Sequence, residues 1–143
     1  MAALRLAVQG RSRFAGLPAR ATLARWVALA LEGDAEITLR FVGAAEGRRL
    51  NRDYRGRDYA TNVLTFDYER APTVHADIVL CVPVIRREAG AERRSLRAHL
   101  AHLVVHGVLH AQGYRHERLR EAARMQRREV ALLAALRIAD PYR

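Results

Sequence analysis

The sequence predicts an α+β domain, and three observations carry that prediction. Four short stretches have the alternating or continuous apolar character of β-strands, and five others repeat at helical spacing. Neither an internal repeat nor a low-complexity linker divides the 143 residues, which suffice for one hydrophobic core. A single domain over 1–143 is therefore expected.

Residues 4–9 alternate and form the first strand. Pro18 suits the first turn of a helix, along which Leu23, Trp26, Val27, Ala30 and Leu31 form an apolar stripe that Gly33 ends. Residues 36–42 place Ile37, Leu39 and Phe41 on one face of a half-buried strand. A short polar helix runs from Ala44 to Tyr54. After a charged stretch, Val63 to Phe66 is a third strand, and Asp77 to Val82 is apolar enough for the middle of a sheet. Pro83 stops it, and a short helix covers 83–91. The helix from Ser95 to Gln112 has an N-capping serine and is apolar on nearly all sides, so it is expected to be buried. A last helix spans 117–138, with Glu117 and Glu121 early and Arg137 late, as the helix dipole favours.

Composition bounds the partners. All 25 basic residues are arginine, against 15 acidic ones, a formal net charge of +10 that points to a polyanion. Cys81 is the only cysteine, which excludes an intrachain disulfide. No apolar run approaches the length of a membrane span. The first 31 residues hold five arginines and no acid, as transit peptides do, yet their strand and helix patterns make them part of the fold. A cytoplasmic protein without a membrane or DNA partner is expected.

The chemistry is concentrated in His106-Gly-Val-Leu-His110-Ala-Gln-Gly113-Tyr-Arg-His116. Histidines four apart lie one turn from each other on one helix face, so both imidazoles reach one point. Gly113 ends the helix without steric cost and lets His116 return from a third direction. Three neutral imidazoles with a fourth position for water make a catalytic zinc site, with one ion per chain. Buried without a metal, they would leave several ring nitrogens needing partners.

His99 and His102 lie upstream in the same stripe. The rise from His102 to His110 is about 12 Å, too long for both to share one ion, so His106 and His110 are the pair that His116 joins. His99 and His102 are left to support a ligand, pack in the core or face the substrate. The spacing is also that of the metzincin proteases, which carry a general-base Glu after the first His. Here that position is Gly107, which argues against proteolysis.

Three stretches together resemble the YbeY family of bacterial endoribonucleases and ribosomal RNA maturation factors. Residues 106–116 resemble its H-G-x-L-H-L-x-G-Y-D-H signature. Asn51-x-x-Tyr54-Arg55 through Thr61-Asn-Val-Leu-Thr-Phe66, and Asp77-Ile-Val-Leu-Cys81, resemble two further signatures in the expected order. The resemblance runs from about residue 36 to 138. It implies a small mixed sheet, zinc on His106, His110 and His116, single-strand RNA cleavage, maturation of the 16S rRNA 3′ end and ribosome quality control. It also implies a functional role for Arg55. Arg115 stands where the family usually has Asp, and Ala111 where it has Leu.

Cleaving a phosphodiester requires a group that holds the extra negative charge of the transition state, and a guanidinium does so while always protonated. Arg55, between a polar helix and the loop entering a strand, is the catalytic candidate. Arg57 and Arg115 are candidates for holding substrate phosphate. Asp77 either orients a ligand, acts as a base or caps a strand entry, and Tyr114 either stacks on a base or packs. Arginines crowd 48–57 and 86–97, while those of the last helix read as a solvated face. The attacking group is either water or a ribose 2′-OH. Two other functions stay open: a ribosome-associated assembly factor with structural zinc, and a metallopeptidase-like hydrolase.

Overall fold

The computed structural model describes residues 2–143. Four strands, β1 (Leu4–Gln9), β2 (Ala35–Val42), β3 (Val63–Glu69) and β4 (Val74–Cys81), form one sheet in the order β1-β2-β4-β3. The first two and β4 are parallel, and β3 pairs antiparallel to β4 at the edge, so the sheet is mixed. Five helices accompany it: α1 (Arg20–Ala30), α2 (Ala44–Arg55), α3 (Val82–Ala91), α4 (Leu96–Ala111) and α5 (Leu119–Ala135). This is the expected α+β architecture.

The two sheet faces bury different amounts. On one, Ile37, Leu39, Ile78 and Leu80 meet Leu23, Trp26 and Val27 of α1 and Leu100, Val104 and Val108 of α4 in the main core. On the other, a smaller cluster of Val42, Leu64, Val79, Cys81 and Val84 is joined by the half-buried Phe66 and Leu50. An apolar perimeter is what places α4 between sheet and helices. Its N-terminus is capped as expected, with the Ala98 N–H donating to Ser95 Oγ at 3.0 Å.

Several boundaries differ from the sequence reading. Pro18 lies before α1 rather than in its first turn, and its carbonyl accepts from Arg11 Nε at 2.6 Å. A 3-10 turn at Arg11–Arg13 bears no apolar pattern. β4 begins at Val74 because pairing with both β2 and β3 outweighs the interruption at His75. Glu117 precedes α5, whose last turn ends at Ala135. Among the described residues no helix is long and apolar enough to cross a membrane.

Candidate metal centre

The C-terminal half of α4 crosses β3 and β4 at close range. A Cβ on Gly107 would lie 2.9 Å from Ile78 Cγ2 and 3.4 Å from Thr65 Oγ1, so no side chain fits between helix and sheet. The end of α4 is tied sideways by Gln112, whose amide donates to the Ala30 carbonyl at 2.8 Å and accepts from the Glu32 N–H at 2.7 Å. Gly113 then adopts φ +103°, a conformation open to glycine, and the chain turns back.

That turn brings His116 to the pair on the helix. Its ring centre lies 5.5 Å from that of His106 and 5.9 Å from that of His110. Imidazoles sharing a tetrahedral ion at bond lengths near 2 Å would have centres about 5 Å apart. The rings are thus gathered at a spacing near that of a shared ion, and among the described residues no group of three potential ligands is already arranged to hold one. Their chemistry fits a divalent ion. Burial first, then the neighbouring His106, pushes His110 below the ordinary imidazole range and favours the neutral, coordinating form.

His106 is oriented from behind. Its Nδ1 lies 2.7 Å from Oε2 of Glu129, a carboxylate on α5 with no solvent exposure. A carboxylate only accepts, so Nδ1 carries the proton and Nε2 presents its lone pair. The other oxygen of Glu129 takes His102 Nε2 at 2.7 Å and the hydroxyl of Tyr142. Burial raises the Glu129 pKa, but the hydrogen bonds from His102, His106 and Tyr142 outweigh it and hold the group at about 2. The Tyr142 hydroxyl is pushed up, by burial first and then by Glu129.

Arg55 completes the cleft. It lines a space of about 40 Å³ together with Val63, Thr65 and the three histidines. Gly56, at φ +69°, ends α2 directly after it. The loop to β3 is fixed at both ends, by Asn51 Nδ2 donating to the Tyr59 carbonyl at 2.9 Å and by Asn62 Nδ2 donating to Glu88 at 3.0 Å. Arg57 is exposed on this loop and does not line the cleft. Arg115 donates to the carbonyls of His110 and Tyr114 at 2.9 and 3.0 Å and lies 3.6 Å from Asp67, which makes it a cap on the end of α4.

Residues 18–137 match the family described as Endoribonuclease YbeY. The chain belongs to the YbeY family. It is 60% identical to the Endoribonuclease YbeY of Methylibium petroleiphilum over 131 residues, covering 92% of this chain and 87% of that protein. Against the same-named protein of Polaromonas naphthalenivorans the identity is 58% over 130 residues, 90% of this chain and 85% of the other. The solution structure of TM1509 from Thermotoga maritima shares the fold, with a TM-score of 0.60 at 23% identity, covering 92% of this chain and 91% of that one.

Within this YbeY-family fold, several sequence candidates lie away from the cleft. Asp77 is on the opposite sheet face, accepting from the Tyr68 hydroxyl at 2.9 Å. Tyr114 is buried, donates to Glu32 at 2.6 Å and carries Arg124 over its ring. His99 is buried between Glu88 and Arg94. The arginines of 86–97 are partly engaged: Arg86 on the Ala15 carbonyl, Arg94 on His99 and Arg97 over Trp26. Glu129 is not among the sequence candidates, because the arginines of the last helix read as a solvated face. The signal was there, a carboxylate on the stripe that also carries Met125, Leu132 and Leu133.

Proposed function

We propose that this chain is a zinc-dependent endoribonuclease that cleaves single-stranded RNA, acting in the cytoplasm on the 3′ end of 16S rRNA and in ribosome quality control. In this reading residues 1–143 work as one unit on ribosomal RNA and the small subunit. His106, His110 and His116 hold one zinc ion. The observation that carries it is the meeting of three imidazoles with a guanidinium in one cleft.

When bound, zinc supplies Lewis-acid polarisation of a phosphoryl oxygen and acidifies water. The remaining work falls to the chain. Glu129 fixes the proton of His106 on Nδ1, which keeps Nε2 available as a donor. Arg55, always protonated, holds the non-bridging oxygens of the scissile phosphate as their charge grows. Arg57 extends the phosphate track along the loop. Arg115, the other phosphate candidate, acts through its hydrogen bonds, which stiffen the turn between His110 and His116.

A peptidase reading lacks a base, since Gly107 has neither a carboxylate nor room for one. A purely structural zinc would need a fourth protein ligand, and the other walls of the cleft are Val63, Thr65 and Arg55. The test is digestion of single-stranded RNA beside casein, with and without chelator, run in parallel with His110→Ala. RNA cleavage lost on chelation and absent from His110→Ala supports the proposal. Casein cleavage, or RNA cleavage that persists in His110→Ala, overturns it.

A further inference from the structure

A second cleft, of about 230 Å³, opens on the far side of edge strand β3, lined by Tyr54, Phe66, Tyr68, Arg40 and Asp77 among others. The chain has few aromatic residues, five Tyr, three Phe and one Trp, and three of them gather here. Tyr54 is 69% exposed and Tyr68 59%, so both rings present surface that no part of the fold covers. Tyr54 meets the edge of Phe66 with centres 5.2 Å apart, which fixes its orientation. The Tyr68 hydroxyl is tied to Asp77 Oδ2, leaving Oδ1 of that carboxylate as an acceptor at the rim.

We infer that this cleft receives a nucleobase of the RNA strand whose phosphate lies at the histidine cleft. The inference rests on the endoribonuclease reading and deepens it. Two features select a base over a phosphate. The walls are aromatic, and the lining cation Arg40 faces Asp77 and pairs with Glu46, a carboxylate it shares with Arg13, so two positive charges meet two negative ones and no net positive charge is left to hold an anion. Asp77 adds an acceptor for base N–H groups, which guanine offers most fully on its Watson–Crick edge.

Continuity with the first cleft comes from the chain itself. Tyr54 and Arg55 are consecutive on the last turn of α2. Thr65 and Phe66 are consecutive on β3, so one points to each face of the edge strand. A strand passing over this edge sets its phosphate beside Arg55 and its neighbouring base against Tyr54 and Tyr68. A paired base cannot splay out this way, so the cleft favours single strands over duplex.

The experiment measures binding of a short fluorescein-labelled single-stranded RNA, and of its duplex, to wild type, Tyr54→Ala/Tyr68→Ala and Tyr54→Phe/Tyr68→Phe. Loss of base stacking is expected to raise Kd for the single strand about 10- to 100-fold in the alanine variant. The phenylalanine variant is expected to stay near wild type, and duplex binding to be unchanged in both. Thermal melting and zinc content of the alanine variant are expected to match wild type, because both rings are largely exposed. An unchanged Kd for the single strand, or an equal loss on duplex, overturns the base cleft while RNA cleavage by wild type stands. A wild type that neither binds nor cleaves RNA overturns the endoribonuclease reading as well.

Discussion

Helix α4 carries two carboxylate–imidazole clusters, His99 with Glu88 near its start and His102 and His106 with Glu129 further along, and they are built to opposite ends. In the first half, His99 Nε2 meets Glu88 at 2.9 Å and Nδ1 meets Arg94 at 3.0 Å. A guanidinium only donates and a carboxylate only accepts, so both ring nitrogens are satisfied within the protein. In the second half, Glu129 binds His106 through Nδ1 alone, and Nε2 makes no hydrogen bond among the described residues. Burial runs in opposite directions in the two: the His99 side chain is 5% exposed against a Glu88 that is 34% exposed, whereas Glu129 is 1% exposed against a His106 that is 25% exposed. The two also differ in whether the second nitrogen is engaged: at His106 it is not, and the Nδ1 of His102, held by the same carboxylate, is buried without a partner among the described residues. The first cluster joins α3, α4 and the start of β3, and the second orients an imidazole that lines the cleft.

The largest effect expected from this contrast is in the second cluster. His110→Ala removes one of three donors and is expected to reduce zinc from about one ion per chain to a trace, as read by metal analysis, with RNA cleavage below detection. Retained zinc would make the two halves of α4 equivalent. Arg55→Ala leaves the imidazoles untouched, so zinc content stays while kcat falls about 10²- to 10³-fold, the usual loss for one transition-state donor. Unaltered kcat would remove Arg55 from the chemistry.

Smaller effects sharpen the distinction between the carboxylates. Glu129→Gln keeps the shape but not the charge behind His106, and zinc affinity is expected to weaken about 10- to 100-fold in a competition titration. An affinity equal to wild type would give Glu129 the same purely structural part as Glu88. The last effect is the mirror case. His99→Ala leaves Glu88 and Arg94 short of a buried partner, so unfolding free energy drops by about 1–3 kcal/mol in urea titration while zinc binding is unchanged.

The sequence was most legible where one helix or strand carries the whole pattern. The spacing from His106 to His116 holds within one helix and one turn, so it needed no tertiary information, and the structure gathers those rings. The strands and helices were readable for the same reason. Glu129 was not, because its partners His102 and His106 lie on another helix and only packing brings them together. The role of Asp77 stayed open for the reverse reason: its strand is central, but its side chain points to the face away from the histidines. The arginine clusters looked alike in sequence, and only the fold shows Arg86, Arg94 and Arg97 occupied by internal contacts.

The missing side chain at Gly107 also bears on how this architecture can change. Its close approach to Ile78 and Thr65 sets how deeply α4 sits in the sheet, and so the height of His106 and His110 relative to Arg55 across the cleft. Introducing glutamate there would recreate a protease-like sequence by a single substitution. It would also lift the helix and carry both imidazoles away from the guanidinium. A carboxylate at this position would therefore have to displace the Ile78 side chain before it could serve as a base.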